Sequence, residues 1–472
     1  MVYCKRVFGE ERLEPWEDTG LNPDKYYEIR DPIHGFITIT DWERDIINHE
    51  YFQRLRRIRQ LAFTDMVYPG AAHTRFEHSL GVMHLAGKAF DLITRNQKYV
   101  NRLKNVLHYN DLGIERARWI VRLAALLHDV GHGPFSHAAE SLMPIAAQKS
   151  KAGTSDAQAR YSHEQYSAAV IRIFFSDVID GNRSLKTNAE ITSDDVAGIL
   201  DGDPQMGSHL FWRDLLTSQM DVDRMDYLLR DSYHCGVQYG RFDIDRLLHT
   251  LAVVEDTELE EGTAGVARSK SGLGLRLGVE EGGWHAAEEL ILARYAMFTQ
   301  VYFHKTRRAY DYHLEQVLGT LLPYGFPPPD SRRNLSKFLK WDDWRVAGIV
   351  AGNKHSDDAR RIRERNHYRR IYETVETPKQ EDIEVFNRIS DKLGSLVRMA
   401  DSAAKSWYKF KKEEEIVVEM EDGSNKPLSD ICPVVKGLRS IDQQRLYVDN
   451  ADKEEALGIV AKVTERKETH VD

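Results

Sequence analysis

Leu123-Ala-Ala-Leu-Leu-His128-Asp129-Val130-Gly131-His132-Gly133-Pro134-Phe135-Ser136-His137 is the stretch on which the reading of this chain turns. It begins as an apolar helix, Val121 to Leu127, that belongs in a core. It then delivers His128, Asp129, His132 and His137, with Gly131 and Gly133 between them. An imidazole and a carboxylate side by side at a buried helix end must be paired or bound to a metal, because burying a lone charge is costly. His128 and His132 are four apart and share a face if the helix continues. Gly131, Gly133 and Pro134 predict that it stops here and lets backbone approach a ligand. The bland alternative is a polar helix end with solvated histidines.

A metal needs ligands from several elements, and two other stretches offer them. Ala71-Ala-His73-Thr-Arg75-Phe-Glu-His78-Ser-Leu-Gly81 places Arg75 and His78 on one side of a helix start, the helix running to about Thr94. Residues 214–231 read as a helix carrying Asp221, Asp223, Asp226 and Asp231, an oxygen-rich side for a divalent cation. Asp223, Tyr227 and Arg230/Asp231 lie along one stripe of it, with Val222, Met225, Leu228 and Leu229 for packing. Ser162-His163-Glu164-Gln165 opens a further helix with Ser162 as its cap.

Composition narrows the function classes. The chain has 472 residues, enough for two to three domains or one large core with an appendage, and 42% are hydrophobic. A formal net charge of -9 argues against a protein that coats nucleic acid. The scattered Cys4, Cys235 and Cys432 exclude a disulfide framework and a cysteine-rich zinc module, and fit a reducing compartment. No apolar run approaches a membrane span and no signal-peptide pattern opens the chain, so the expected location is the cytoplasm.

The remaining pattern predicts a mainly α chain. Residues 1–26 read as an N-terminal arm and 27–39 as a hairpin around Asp31-Pro32-Ile33-His34-Gly35. Asp41 is expected to cap a helix carrying Arg54, Arg56, Arg57 and Arg59, a charge run that normally marks a solvated face. Residues 95–118 read as polar helix or loop, 148–160 as an insertion, 176–206 as loop-rich. Strands are expected within 250–282, helix from Trp284 to Tyr312, and a break at Gly325 to Pro329. Beyond it come a basic helical run, 360–370, strands at 415–419 and 445–448, and a last helix from Asp452. The domain boundaries follow: 1–26 arm, 27–325 helical core, 326–472 a smaller α+β region.

Arg75-Phe-Glu-His78, Leu-Leu-His128-Asp129-Val-Gly-His132-Gly-Pro-Phe-Ser-His137, His163-Glu-Gln and Asp223-Arg-Met-Asp-Tyr227-Leu-Leu-Arg-Asp231 occur in this order. The series resembles the HD-domain metal-dependent phosphohydrolases, and within them the deoxynucleoside triphosphate triphosphohydrolases, over about residues 27–315. The resemblance implies an HD helical bundle with small β-hairpins. It implies metal ligands His78, His128, Asp129 and Asp223, with the identity of the divalent ion open among Fe, Mn, Zn, Ni and Mg. It implies catalytic His132, His137 and His163 with Glu140 as the acidic partner, where relatives often carry aspartate. Arg75 and Arg224, and more weakly Lys305, Arg307 and Arg308, become candidates for triphosphate contacts. Gln60, Leu61, Tyr227 and Asp231 become candidates for the sugar.

The expected reaction is hydrolysis of a dNTP to deoxynucleoside and inorganic triphosphate. Gln53 and Arg56 match effector-site positions, while Asn48 replaces an aspartate that reads guanine, so a site for a dNTP or NTP activator is either retained with a different preference or lost. A homo-oligomer, dimer or tetramer, follows from the same resemblance. Tyr302-Phe303, Thr306 and Asp311 depart from the human branch. Two readings compete: a related HD phosphohydrolase or phosphodiesterase acting on another nucleotide or on single strands, and a sensor with weak catalysis.

Overall fold

The computed structural model describes residues 25–146, 160–185, 190–255, 274–411 and 414–465. The expected 148–160 insertion and arm fall almost wholly outside these residues, as does Gly272, expected to open a strand.

The chain enters through an antiparallel hairpin, β1 (Tyr26–Asp31) and β2 (Gly35–Thr40). Asp31 closes its turn, accepting the Ile33 and His34 amides at 2.9 Å each. The Asp41–Asn48 helix is capped by Thr40, not by Asp41: Thr40 and Glu43 form a reciprocal capping box. The helix does not run on as expected. His49 adopts an extended conformation (φ -63°, ψ 139°) and caps a second, short helix, Glu50–Gln53, so the arginines sit on the tight turn Arg54–Arg57 and beyond.

Three helices form the scaffold of the core. Arg75–Arg95 packs on Asp111–Leu127 and on Val222–Cys235. Leu123 to Leu127 are all fully buried, as the apolar run requires. Local chemistry sets the ends: Thr74 with Glu77 and Ser162 with Gln165 are capping boxes, and Asp221 caps Val222–Cys235, which stops at left-handed Gly236. The 95–118 stretch resolves into Gln97–Val106 and the first two turns of Asp111–Leu127. The loop-rich reading of 176–206 misses Ser193–Asp201, started by a Thr192/Asp195 capping box and packed on His163–Val170.

Beyond the helical core lie β3 (Leu251–Glu255), β4 (Leu275–Glu280), β5 (Arg369–Glu373), β6 (Val397–Lys405), β7 (Val417–Glu419), β8 (Asn425–Pro427) and β9 (Ile441–Val448). One sheet has the order β3-β4-β7-β8, with β4 and β7 parallel. Another is antiparallel, β5-β9-β6, and buries Ile371, Leu446 and Val448 against Gln380–Leu393 and Lys453–Glu465. The 360–370 run is not one helix. Asp357–Arg363 ends there, and Arg369 and Arg370 open β5. The architecture is mainly α, a helical bundle with small sheets and a smaller α+β region, as the resemblance implies. No helix among the described residues is long and apolar enough to cross a membrane.

Candidate metal centre and active site

His78, His128 and Asp223 converge, with one ligand atom from each within 4.8 Å of the others. His78 comes from the first turn of Arg75–Arg95, His128 from the end of Asp111–Leu127, and Asp223 from the first turn of Val222–Cys235. Each imidazole commits its Nδ1 elsewhere: His78 donates to Asp226 Oδ2 at 2.7 Å and His128 to the Ala125 carbonyl at 2.7 Å. Both Nε2 atoms are buried without a hydrogen-bond partner, and His78 Nε2 lies 3.0 Å from Asp223 Oδ1. Two orphaned nitrogens facing a carboxylate, with both tautomers set from behind, are a donor set that fits a divalent cation. Asp129 stands at the edge, its Oδ1 3.3 Å from His128 Nε2 and its Oδ2 2.5 Å from Arg75. Burial opposes its charge, but Arg75, His128 and His132 hold it well below the usual carboxylate range. Burial also opposes charge on His78, yet Asp223 and Asp226 favour it and bring its pKa up to about 10.

The second cluster adjoins the first. His132 Nε2 lies 3.3 Å from Asp129 Oδ1, and the His132 ring stacks on His163 at 3.8 Å and 22°. His137 and His163 both direct Nδ1 at Glu140 Oε1, at 2.8 and 3.3 Å. Burial, then Arg75 and His163, push His132 far down, so it stays neutral. His163 is raised: burial opposes its charge and the Glu140 contact prevails. The turn that aims these groups is strained, with Phe135 and Ser136 both left-handed (φ 55° and 57°). It is held by Phe135 N donating to Asp343 at 2.6 Å and Ser136 Oγ donating to the Arg59 carbonyl at 2.6 Å.

Other expected residues fall as follows. Arg75 is buried, between Asp129 and Ser136. Arg224 pairs with Asp221 at 3.3 Å and lines a cavity of about 450 Å³ with Glu164 and Arg294. Gln60 and Leu61 are buried, and Gln60 Oε1 has no partner. Asp231 accepts from His73 at 2.7 Å and Tyr302 at 2.6 Å, and Tyr227 sits 6.2 Å from the Tyr302 ring. Arg308 is paired with Asp401 and borders a cavity of about 300 Å³ beside His137 and Asp311; Lys305 is exposed. Gln53 donates to the Ile47 carbonyl at 2.7 Å and accepts from Arg56 at 2.8 Å, with Asn48 exposed nearby.

Three readings are corrected. The four aspartates do not share one oxygen-rich face: Asp221 is a helix cap, Asp226 backs His78, and Asp231 holds His73 and Tyr302. The arginine run is not a solvated face throughout, since Arg54 is 1% exposed and donates to the His132 and Trp341 carbonyls. Gly131 makes room for protein, not ligand: a Cβ there would meet Ser167 N at 2.2 Å. His34 and Arg230 grip Asp226; in sequence Arg230 shows only its place on the Asp223 stripe and His34 its place at a turn tip.

An HD domain matches residues 75–231 and an HD associated region matches 242–462. The uncharacterized protein YwfO of Bacillus subtilis is 32% identical over 301 residues, 63% of this chain and 56% of that protein. The deoxynucleoside triphosphate triphosphohydrolase SAMHD1 homolog of Dictyostelium discoideum is 36% identical over 236 residues, 48% of this chain and 40% of that one. Human deoxynucleoside triphosphate triphosphohydrolase SAMHD1 is 33% identical over 267 residues, 51% and 38%. The chain spans about half the length, or less, of the curated relatives it matches. Among solved structures, a hypothetical protein from Aquifex aeolicus matches with TM-score 0.70 and 28% identity, over 92% of this chain and all of that one. A phosphohydrolase from Bacteroides thetaiotaomicron matches with TM-score 0.64 and 25% identity, over 90% and 100%. With an HD domain, its associated region and these relatives, the chain belongs to the HD-domain phosphohydrolase family.

Proposed function

We propose that the protein hydrolyses deoxynucleoside triphosphates to deoxynucleoside and inorganic triphosphate. The observation that carries this reading is the adjacency of the two clusters: His132 is 3.3 Å from Asp129 on one side and stacked on His163 on the other. Relatives whose names state this activity, at 33–36% identity, support the choice of substrate.

A divalent cation held by His78, His128 and Asp223, with Asp129 beside them, would neutralise phosphate oxygens and activate the attacking water. The chain's own groups do the rest. Water oxygen bonds to the α-phosphorus and the bond to the sugar 5′ oxygen breaks. His163, held by Glu140 through Nδ1, delivers its Nε2 proton to that departing oxygen. Neutral His132, its Nε2 3.3 Å from Asp129 and its Nδ1 without a partner, would contact a phosphate oxygen. Arg75 and Arg224 bring positive charge to the same side. Tyr227 would pack on C2′ and exclude a 2′-hydroxyl, with Gln60, Leu61 and Asp231 around the sugar.

Activation by a second nucleotide near Asn48, Gln53 and Arg56, in a homo-oligomer in the cytoplasm, belongs to the same proposal. Chromatographic product analysis tests it, with each dNTP alone and mixed, in Mn or Mg, beside an Asp129→Ala control. Deoxynucleoside plus triphosphate, absent from the control, supports the reaction; activity only in the mixture supports an activator. No turnover of any dNTP overturns it in favour of another phosphoester.

A further inference from the structure

Behind the metal centre lies a buried chain of contacts that the reaction itself does not use. Asp226, fully buried, receives three donors. His78 reaches Oδ2 at 2.7 Å, His34 Nε2 reaches Oδ1 at 2.6 Å, and Arg230 spans both oxygens at 2.8 and 2.9 Å. Arg230, also fully buried, continues to Asp31, at 2.8 and 3.3 Å. Asp31 and His34 are the two ends of one turn, the tip of the β1–β2 hairpin. The hairpin therefore grips Asp226 twice, directly through His34 and through Asp31 and Arg230. Close packing is built in at Gly81, where a Cβ would fall 1.9 Å from Asp226 Oδ1 and 2.5 Å from the Arg230 guanidinium.

We infer that His34 is a positioning residue for the metal centre, so that a docked hairpin is a condition for tight metal binding. His78 can point its Nε2 at a cation only while its Nδ1 proton has an acceptor held at a fixed place. Asp226 is that acceptor, and without its other donors the carboxylate is free to turn. Partners of this kind commonly change metal affinity 10- to 100-fold, roughly, when removed. The inference rests on the metal site proposed above and on no particular substrate.

The test is calorimetric titration of chelator-stripped protein with Mn²⁺, with folding followed by circular dichroism. His34→Ala is expected to weaken binding at least about 10-fold, and His34→Gln, which keeps a donor, to recover most of the loss. His34→Asn keeps a turn-forming residue but is too short to reach Asp226, and serves if His34→Ala does not fold. A folded His34→Ala or His34→Asn that binds Mn²⁺ as the native protein does overturns the inference. Native protein that binds no Mn²⁺, Zn²⁺, Ni²⁺ or Fe²⁺ overturns the metal site itself, whereas metal binding without dNTP turnover leaves this inference standing and removes only the substrate.

Discussion

His132 and His163 lie face to face, centroids 3.8 Å apart, and carry opposite tendencies: His132 is driven neutral while His163 is drawn toward the charged form. Glu140 is what separates them, since it contacts His163 Nδ1 and not His132. Removing its charge takes away the largest influence that opposes burial, leaving only Glu164 and Asp129, so the His163 pKa falls and less of the proton donor is present above neutrality. In Glu140→Gln the alkaline limb of the kcat/KM profile should move to lower pH by about one unit or more. The rate near pH 7 should drop roughly 10- to 100-fold. An unmoved alkaline limb would separate Glu140 from the proton donor.

Asp221 and Asp223 are two residues apart and should behave oppositely. Asp223→Asn is expected to abolish tight metal binding. Asp221→Asn, still able to cap Val222–Cys235, should bind metal as before. Metal content by elemental analysis decides. Stripping the ion from native protein should also lower the melting temperature, since cation at 100 times its Kd adds about 2.7 kcal/mol to the folded state.

Gly131→Ala tests backbone closeness. Its Cβ would meet Ser167 N at 2.2 Å and the His163 carbonyl at 2.6 Å, forcing the His163–Val170 helix away. A displacement near 1 Å should cut kcat about 100-fold. Gly133→Ala, whose nearest contact would be Met143 Cε at 3.5 Å, should remain active. Equal kinetics for the two variants would contradict this.

Acid should weaken the fold through three buried histidines. Burial first, with neighbouring cations, pushes His84, His209 and His367 down to about 4. Their folded pKa values lie below the ordinary imidazole value of about 6.5, so the stability they contribute is present above pH 6.5. It is lost as pH falls through that value toward about 4. The melting temperature should decline across this window, and less steeply in His84→Gln.

The sequence made visible what is encoded locally. His78 and His163 follow capping boxes, Thr74/Glu77 and Ser162/Gln165, and His128 ends an apolar run that had to be a buried helix. What stayed hidden depends on partners far away along the chain. The place of Asp226 behind His78 depends on His34, 192 residues upstream of Asp226. Arg54 looks like its solvated neighbours until the carbonyls of His132 and Trp341 appear beside it. At 192–201 the aspartates and glycines read as loop, although Thr192 and Asp195 start a helix.

The β5-β9-β6 sheet has one more implication, for the time at which the protein matures. Its central strand, β9, follows both neighbours in the chain, so neither edge strand has its partner until synthesis has passed Val448. Arg445 on that strand donates to the Phe303 carbonyl, and Asp401 on β6 pairs with Arg308, so the sheet braces the segment at 303–308. Residues 75–235 can gather their helices much earlier. A nascent chain can thus bring His78, His128 and Asp223 together well before the segment at 303–308 is braced, so that segment is the later of the two to settle.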